Sequence, residues 1–165
     1  MAISPQATVV IDTQAGLLSS SGGDGTQDSK VLIDISFASG TGVQQITTPF
    51  DSTRTLGAGA NEDLDLQALL DKNGDALNLT GVRLIVVQAD QANGDDIRLA
   101  PAGANGWDAW IAVGSLMDVE AGGTVLGLSP RAASPYFVDA THRLFNVLNL
   151  DGASSIIYTV TIYGF

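Results

Sequence analysis

His142 is the one histidine in the chain, so any imidazole-based proton relay must run through it. Flanked by Thr141 and Arg143 at the start of a strand-like segment, it reads as a polar strand-edge residue rather than the base of a Ser-His-Asp triad. A G-x-S-x-G nucleophile elbow is missing, because Gly114-Ser115 lacks the second glycine. Asp95 with Asp96, and Asp63 with Asp65, have the residue types of a glycosidase acid and base. The chain holds sixteen aspartates scattered through turn-like stretches, so such pairs arise by chance and read as solvated turns. No residue is assigned a catalytic role, and the chain reads as a non-enzyme.

Binding chemistry is equally sparse. Asp71-Lys72-Asn73-Gly74-Asp75 offers oxygens at loop positions 1, 3 and 5, but its glycine falls at 4 and position 12 is Val82, which excludes an EF-hand. Gly22-Gly23-Asp24-Gly25-Thr26-Gln27-Asp28 begins like a calcium-binding nonapeptide, yet Gln27 holds the required aspartate position in a single copy. An irregular calcium site stays open; no metal ligand or cofactor is assigned. Gly57-Ala58-Gly59-Ala60-Asn61-Glu62 lacks the third glycine of a dinucleotide fingerprint. Trp107 and Trp110 flank an apolar patch, which reads as packing or an intersubunit contact, with a carbohydrate platform as the competing reading.

The elements that must position these residues follow from composition. The chain of 165 residues suits one domain with one core, and it has no cysteine, so neither disulfides nor thiolate metal sites contribute. Val, Ile and Thr number 37 and Gly 19, whereas Lys and Glu number four together, a mixture suited to pleated strands. Mean hydropathy is +0.22 and only 15% of residues are charged. Sixteen Asp and two Glu face five Arg and two Lys, giving a net charge of −11 and no cluster of three basic residues. Nucleic acid and anionic membrane surfaces are therefore disfavoured as partners. The first residues show neither a basic n-region nor an apolar run, so no signal peptide and no membrane span are expected.

Period-two alternation is clearest at Val31-Leu32-Ile33-Asp34-Ile35-Ser36-Phe37 and at Ile156 to Tyr163, where Ile156, Tyr158, Val160 and Ile162 share one face. Val82-Arg83-Leu84-Ile85-Val86-Val87 is apolar on both parities except Arg83, as an interior strand would be. Weaker strands are expected at 44–48, 97–100, 124–128, 136–139 and 144–148, with turns at Asn73-Gly74, Asn93-Gly94 and Asp151-Gly152. Asn61 to Leu70 fits either a capped helical turn or a short strand. Ser19 to Thr26 has no apolar residue and reads as a linker. The expected architecture is an all-β, jelly-roll-like β-sandwich over residues 31–165, preceded by an extended N-terminal arm at 1–30.

Leu64-Asp65-Leu66, Asp71 to Leu79, Val82 to Val87, Leu144-Phe145-Asn146-Val147-Leu148-Asn149 and Ile157 to Gly164 together resemble small virion proteins of tailed bacteriophages, of the capsid decoration or cement type. The resemblance covers about residues 60–165 and does not extend to the arm. It implies a β-rich, often trimeric structural protein, made in the host cytoplasm, that binds the outer face of the capsid and clamps neighbouring major capsid subunits. A phage tail component or receptor-reading carbohydrate-binding module is the alternative. Exposed-apolar reasoning then assigns Val9, Val10 and Ile11 of the arm to the shell, and Trp107, Trp110 and Phe165 to neighbouring copies.

Overall fold

The computed structural model describes residues 7–15, 29–42, 44–129 and 135–165, and the side chains of 7–15 and 29–35 lie outside that description. The expected linker at Ser19 to Thr26 also falls outside the described residues. The described chain forms β1 (Ala7–Ala15), β2 (Ser29–Ser39), β3 (Gln45–Ile46), β4 (Thr48–Leu56), β5 (Asn61–Asp65), β6 (Gly81–Ala89), β7 (Ile97–Pro101), β8 (Met117–Val119), β9 (Thr124–Leu128), β10 (Tyr136–Phe137), β11 (Leu144–Asn149) and β12 (Ile156–Gly164).

Eight of these strands pair as the two arms of one long hairpin rolled onto itself. β4 pairs β12, β5 pairs β11, β6 pairs β9 and β7 pairs β8, each pair nested inside the one before and each antiparallel. Lateral pairing of β12 with β6 and of β11 with β7 closes two sheets, β4-β12-β6-β9 and β5-β11-β7-β8, with β10 adding to the start of β6. That nesting is the jelly-roll topology. The segment that was open between helix and strand resolves as strand β5, because Asn61 to Asp65 pairs with β11 through Leu148 to Leu144.

Alternation decides which faces meet. Ile156, Tyr158, Val160 and Ile162 of β12 are buried, opposite Leu64 of β5, Ile97 and Leu99 of β7, and Phe145 and Val147 of β11. β6 lies between β12 and β9, and almost all of its side chains are buried, as its apolar content on both parities requires. β4 was not anticipated: its inward positions are Phe50, Ser52, Arg54 and Leu56, so half of its core-facing side chains are polar and the sequence alternation is hidden. Such a strand is tolerable only at an edge, where it lies.

A second, smaller apolar cluster sits on the outer face of the first sheet. Leu84, Val86, Leu126, Leu128 and Tyr163 are covered there by Phe37 at the end of β2 and Ile46 of β3. β1 runs antiparallel along β2 from Ala7 opposite Phe37 to Ala15 opposite Ser29, so residues on both sides of position 30 belong to one two-stranded ribbon. At the ribbon's junction with the sandwich, β6 carries a bulge at Arg83, since Tyr163 faces Leu84 and Gly164 faces Val82. The buried Arg83 guanidinium donates to the carbonyls of Gly42 and Ser129, at 3.1 and 3.3 Å, and stands 5.2 Å over the Phe165 ring. One side chain thus ties together the incoming chain, the end of β9 and the C-terminal residue.

Candidate interaction surfaces

Strand directions place the connections at two opposite ends. Loops 57–60, 90–96, 120–123 and 150–155 share one end, and loops 66–80, 102–116 and the 135–143 segment share the other. The first set carries Asp90, Asp95, Asp96, Glu120 and Asp151 with no Lys or Arg. The second set carries four of the five large apolar side chains that are exposed among the described residues, Leu70, Val113, Leu116 and Phe137, between 45% and 77% exposed. The β2–β3 junction and Phe165 also lie at that second end, because Thr48 begins β4 opposite Gly164. A groove of about 820 Å³ runs along the start of β4 there, walled by Leu70, Leu77 and Tyr163.

The residues with catalytic chemistry are absorbed by local structure. Asp139 Oδ1 accepts hydrogen bonds from the Thr141 amide at 2.7 Å, the Thr141 hydroxyl at 2.8 Å and the His142 amide at 2.9 Å. The Thr141 hydroxyl and amide, aided by His142, hold the Asp139 pKa down to about 2. His142 Nδ1 lies 3.0 Å from both Asp139 Oδ1 and Thr141 Oγ1. Acid and hydroxyl meet the same ring nitrogen, so Asp139, His142 and Thr141 are not in the acid–imidazole–hydroxyl order of a triad. The cluster is a clasp on the 138–143 turn.

Carboxylate pairs fare alike. Asp95 Oδ1 accepts from the Asp96 amide at 2.8 Å within its own loop. Asp63 accepts from Asn146 at 2.7 Å, while Asp65 pairs with Arg143 at 3.2 Å. Asp71 Oδ1 takes the amides of Asn73 and Asp75 at 2.7 and 2.9 Å, and those amides, Asp75 first, lower its pKa. Its oxygens close a turn instead of facing a cation. Among the described residues no three acidic or histidine side chains converge on a metal position.

A polar network reaching into the core between β4, β5 and β12 was not anticipated. Glu62 of β5 receives Arg54 Nε at 2.9 Å and the Tyr158 hydroxyl at 2.6 Å, bridging the edges of both sheets. Burial alone would raise the Glu62 pKa, but hydrogen bonds from Arg54 and Tyr158 outweigh it and lower it. Burial, then the hydrogen bond to Glu62, raises the Tyr158 pKa. Inward charge at an open sheet edge blocks pairing with a foreign strand.

The contact residues expected from the sequence separate. Trp107 is fully buried, which corrects its assignment to an intersubunit contact. Its indole N–H donates to the Phe137 carbonyl at 2.8 Å, and its ring meets Tyr136 and Phe145 edge-on at 6.1 and 5.9 Å. It closes the core beneath the 102–116 loop, and the paired-tryptophan sugar platform goes with it. Trp110 is half-buried against Phe145 and Gly127, where a Cβ would stand 2.5 Å from the indole nitrogen. Phe165 is half-buried under Arg83. Val9, Val10 and Ile11 lie on β1, with side chains outside the described part. No family model matches the chain, and no curated protein is significantly similar to it.

Proposed function

We propose that the chain is a non-enzymatic structural protein of a phage particle, a capsid decoration protein that binds the outer shell and clamps neighbouring major capsid subunits. The observation supporting this reading is the polarity of the molecule. The ribbon junction, Phe165 and four exposed apolar side chains share one end, and five carboxylates without a basic partner occupy the other. An apolar, nearly charge-balanced end suits burial against protein, since interface cores are depleted of charge. An acidic end suits exposure to solvent and keeps particles apart. Jelly rolls occur in capsid and lectin domains alike, so topology alone does not choose between roles. Copies on a shell associate as trimers in this reading.

A ligand that binds only the assembled shell stabilises it by mass action. Saturating protein should therefore raise the melting temperature of expanded capsids. Val113→Asp with Leu116→Asp should remove most of that increase, whereas Asp95→Asn with Asp96→Asn should leave it in place. Calorimetry of decorated capsids checks this; the opposite ranking would reject the docking end.

A further inference from the structure

At the acidic end, the outer face of the first sheet carries an open, mainly polar cavity of about 810 Å³. Thr53, Thr159 and Gln88 stand side by side across β4, β12 and β6 on its floor, in register. Gln91 and the 41% exposed Ile157 complete it. Adjacent strands are ~4.8 Å apart, a separation comparable to that of hydroxyls across a pyranose ring. The Thr53 and Thr159 hydroxyls bond each other at 3.0 Å, while the side-chain amides of Gln88 and Gln91 have no hydrogen-bond partner among the described residues.

The walls are held in place. Asn93 clamps the backbone of Ile157 from both sides, its Oδ1 accepting from the Ile157 amide and its Nδ2 donating to the Ile157 carbonyl, each at 2.8 Å. Asp90 accepts from Ala92 at 2.8 Å, and the Gly122 amide donates to the Asp90 carbonyl at 3.2 Å. A rigid rim around uncharged donors and acceptors, with one apolar side chain, matches a ligand that has many hydroxyls and an apolar C–H face. Asp90 on the rim, with Asp95, Asp96, Glu120 and Asp151 on the loops of the same end, selects against anions.

We propose that this cavity binds a neutral glycan. The inference does not depend on shell binding, because the cavity lies at the end opposite the docking surface. The full-length protein is applied to an array of neutral, sialylated and sulfated glycans, and hits are titrated by saturation-transfer NMR. Saturable binding to neutral glycans is expected, weakened at least tenfold by Gln88→Ala and by Thr159→Val with melting temperatures retained. Tryptophan fluorescence should not change, since Trp107 and Trp110 lie in the loop at the other end. The proposal is overturned if no neutral glycan binds saturably, if anionic glycans bind better, or if binding survives both substitutions.

Discussion

Glu62 satisfies two partners, Arg54 on the preceding strand and Tyr158 far along the chain on β12, where its carboxylate enters the sandwich at a sheet edge. Its folded pKa lies below the unfolded value of about 4.3, so the network's contribution is complete above that value and drains away as pH falls through the folded one. Arg54 is about one-third exposed, and solvent screening trims the ion pair. Glu62→Gln should therefore cost about 1 kcal/mol at neutral pH. Between about pH 5 and pH 3 the wild type should lose more melting temperature than the variant, because only the wild type has this carboxylate to protonate. Thermal melts across that interval check the point, and parallel losses would show that the network contributes nothing. Trp107 marks the cost of the opposite error. Its removal would open a cavity among Tyr136 and Phe145, typically worth ~3–5 kcal/mol.

At the scale of elements, the β1–β2 ribbon changes how the arm is to be tested. Register pairs Val9 with Ile35 and Ile11 with Ile33, apolar residue with apolar residue. Val10 pairs with Asp34, between the pairs Thr8 with Ser36 and Asp12 with Leu32, one step out of phase with the other two. The run Val9-Val10-Ile11 is therefore not one contact. A two-stranded ribbon is marginal in water unless its apolar face is covered. Val9→Ser with Ile11→Ser should weaken capsid binding about tenfold or more, since each buried aliphatic side chain contributes ~1.5–3 kcal/mol. Val10→Ser should weaken it about twofold at most. Co-sedimentation with capsids distinguishes them, and equal losses would mean that the ribbon does not dock by one face.

For the whole molecule, charge and shape pull in different directions. A net charge of −11 opposes contact between free copies, while the exposed apolar loops favour it. Screening lengths shorten from roughly 14 Å at about 0.05 M salt to roughly 4 Å at about 0.5 M. Association to trimers should strengthen over that range. Sedimentation velocity at high protein concentration reads the shift; a monomer at both salt levels would show that trimers, if they form, need the shell as a template. The nested strand pairing also implies slow folding, because β4 with β12 and β5 with β11 join distant parts of the chain.

Strands β6 and β12 are legible in the sequence because their side chains alternate, or fail to alternate, according to how many faces are covered. The all-β class and the jelly-roll-like body follow from composition and from short alternating segments bounded by turn residues. Pattern alone could not reveal β4, since Ser52 and Arg54 occupy its inward positions and become intelligible only beside Glu62 and Tyr158. Nor could it separate Trp107 from Trp110. Both read as apolar loop residues until Tyr136, Phe145 and the Phe137 carbonyl, from strands laid over them, bury one and leave the other half-covered. The polarity of the two ends is likewise invisible along the chain. Acidic loops without Lys or Arg and loops with exposed apolar residues alternate in sequence, and antiparallel pairing sends successive loops to opposite ends.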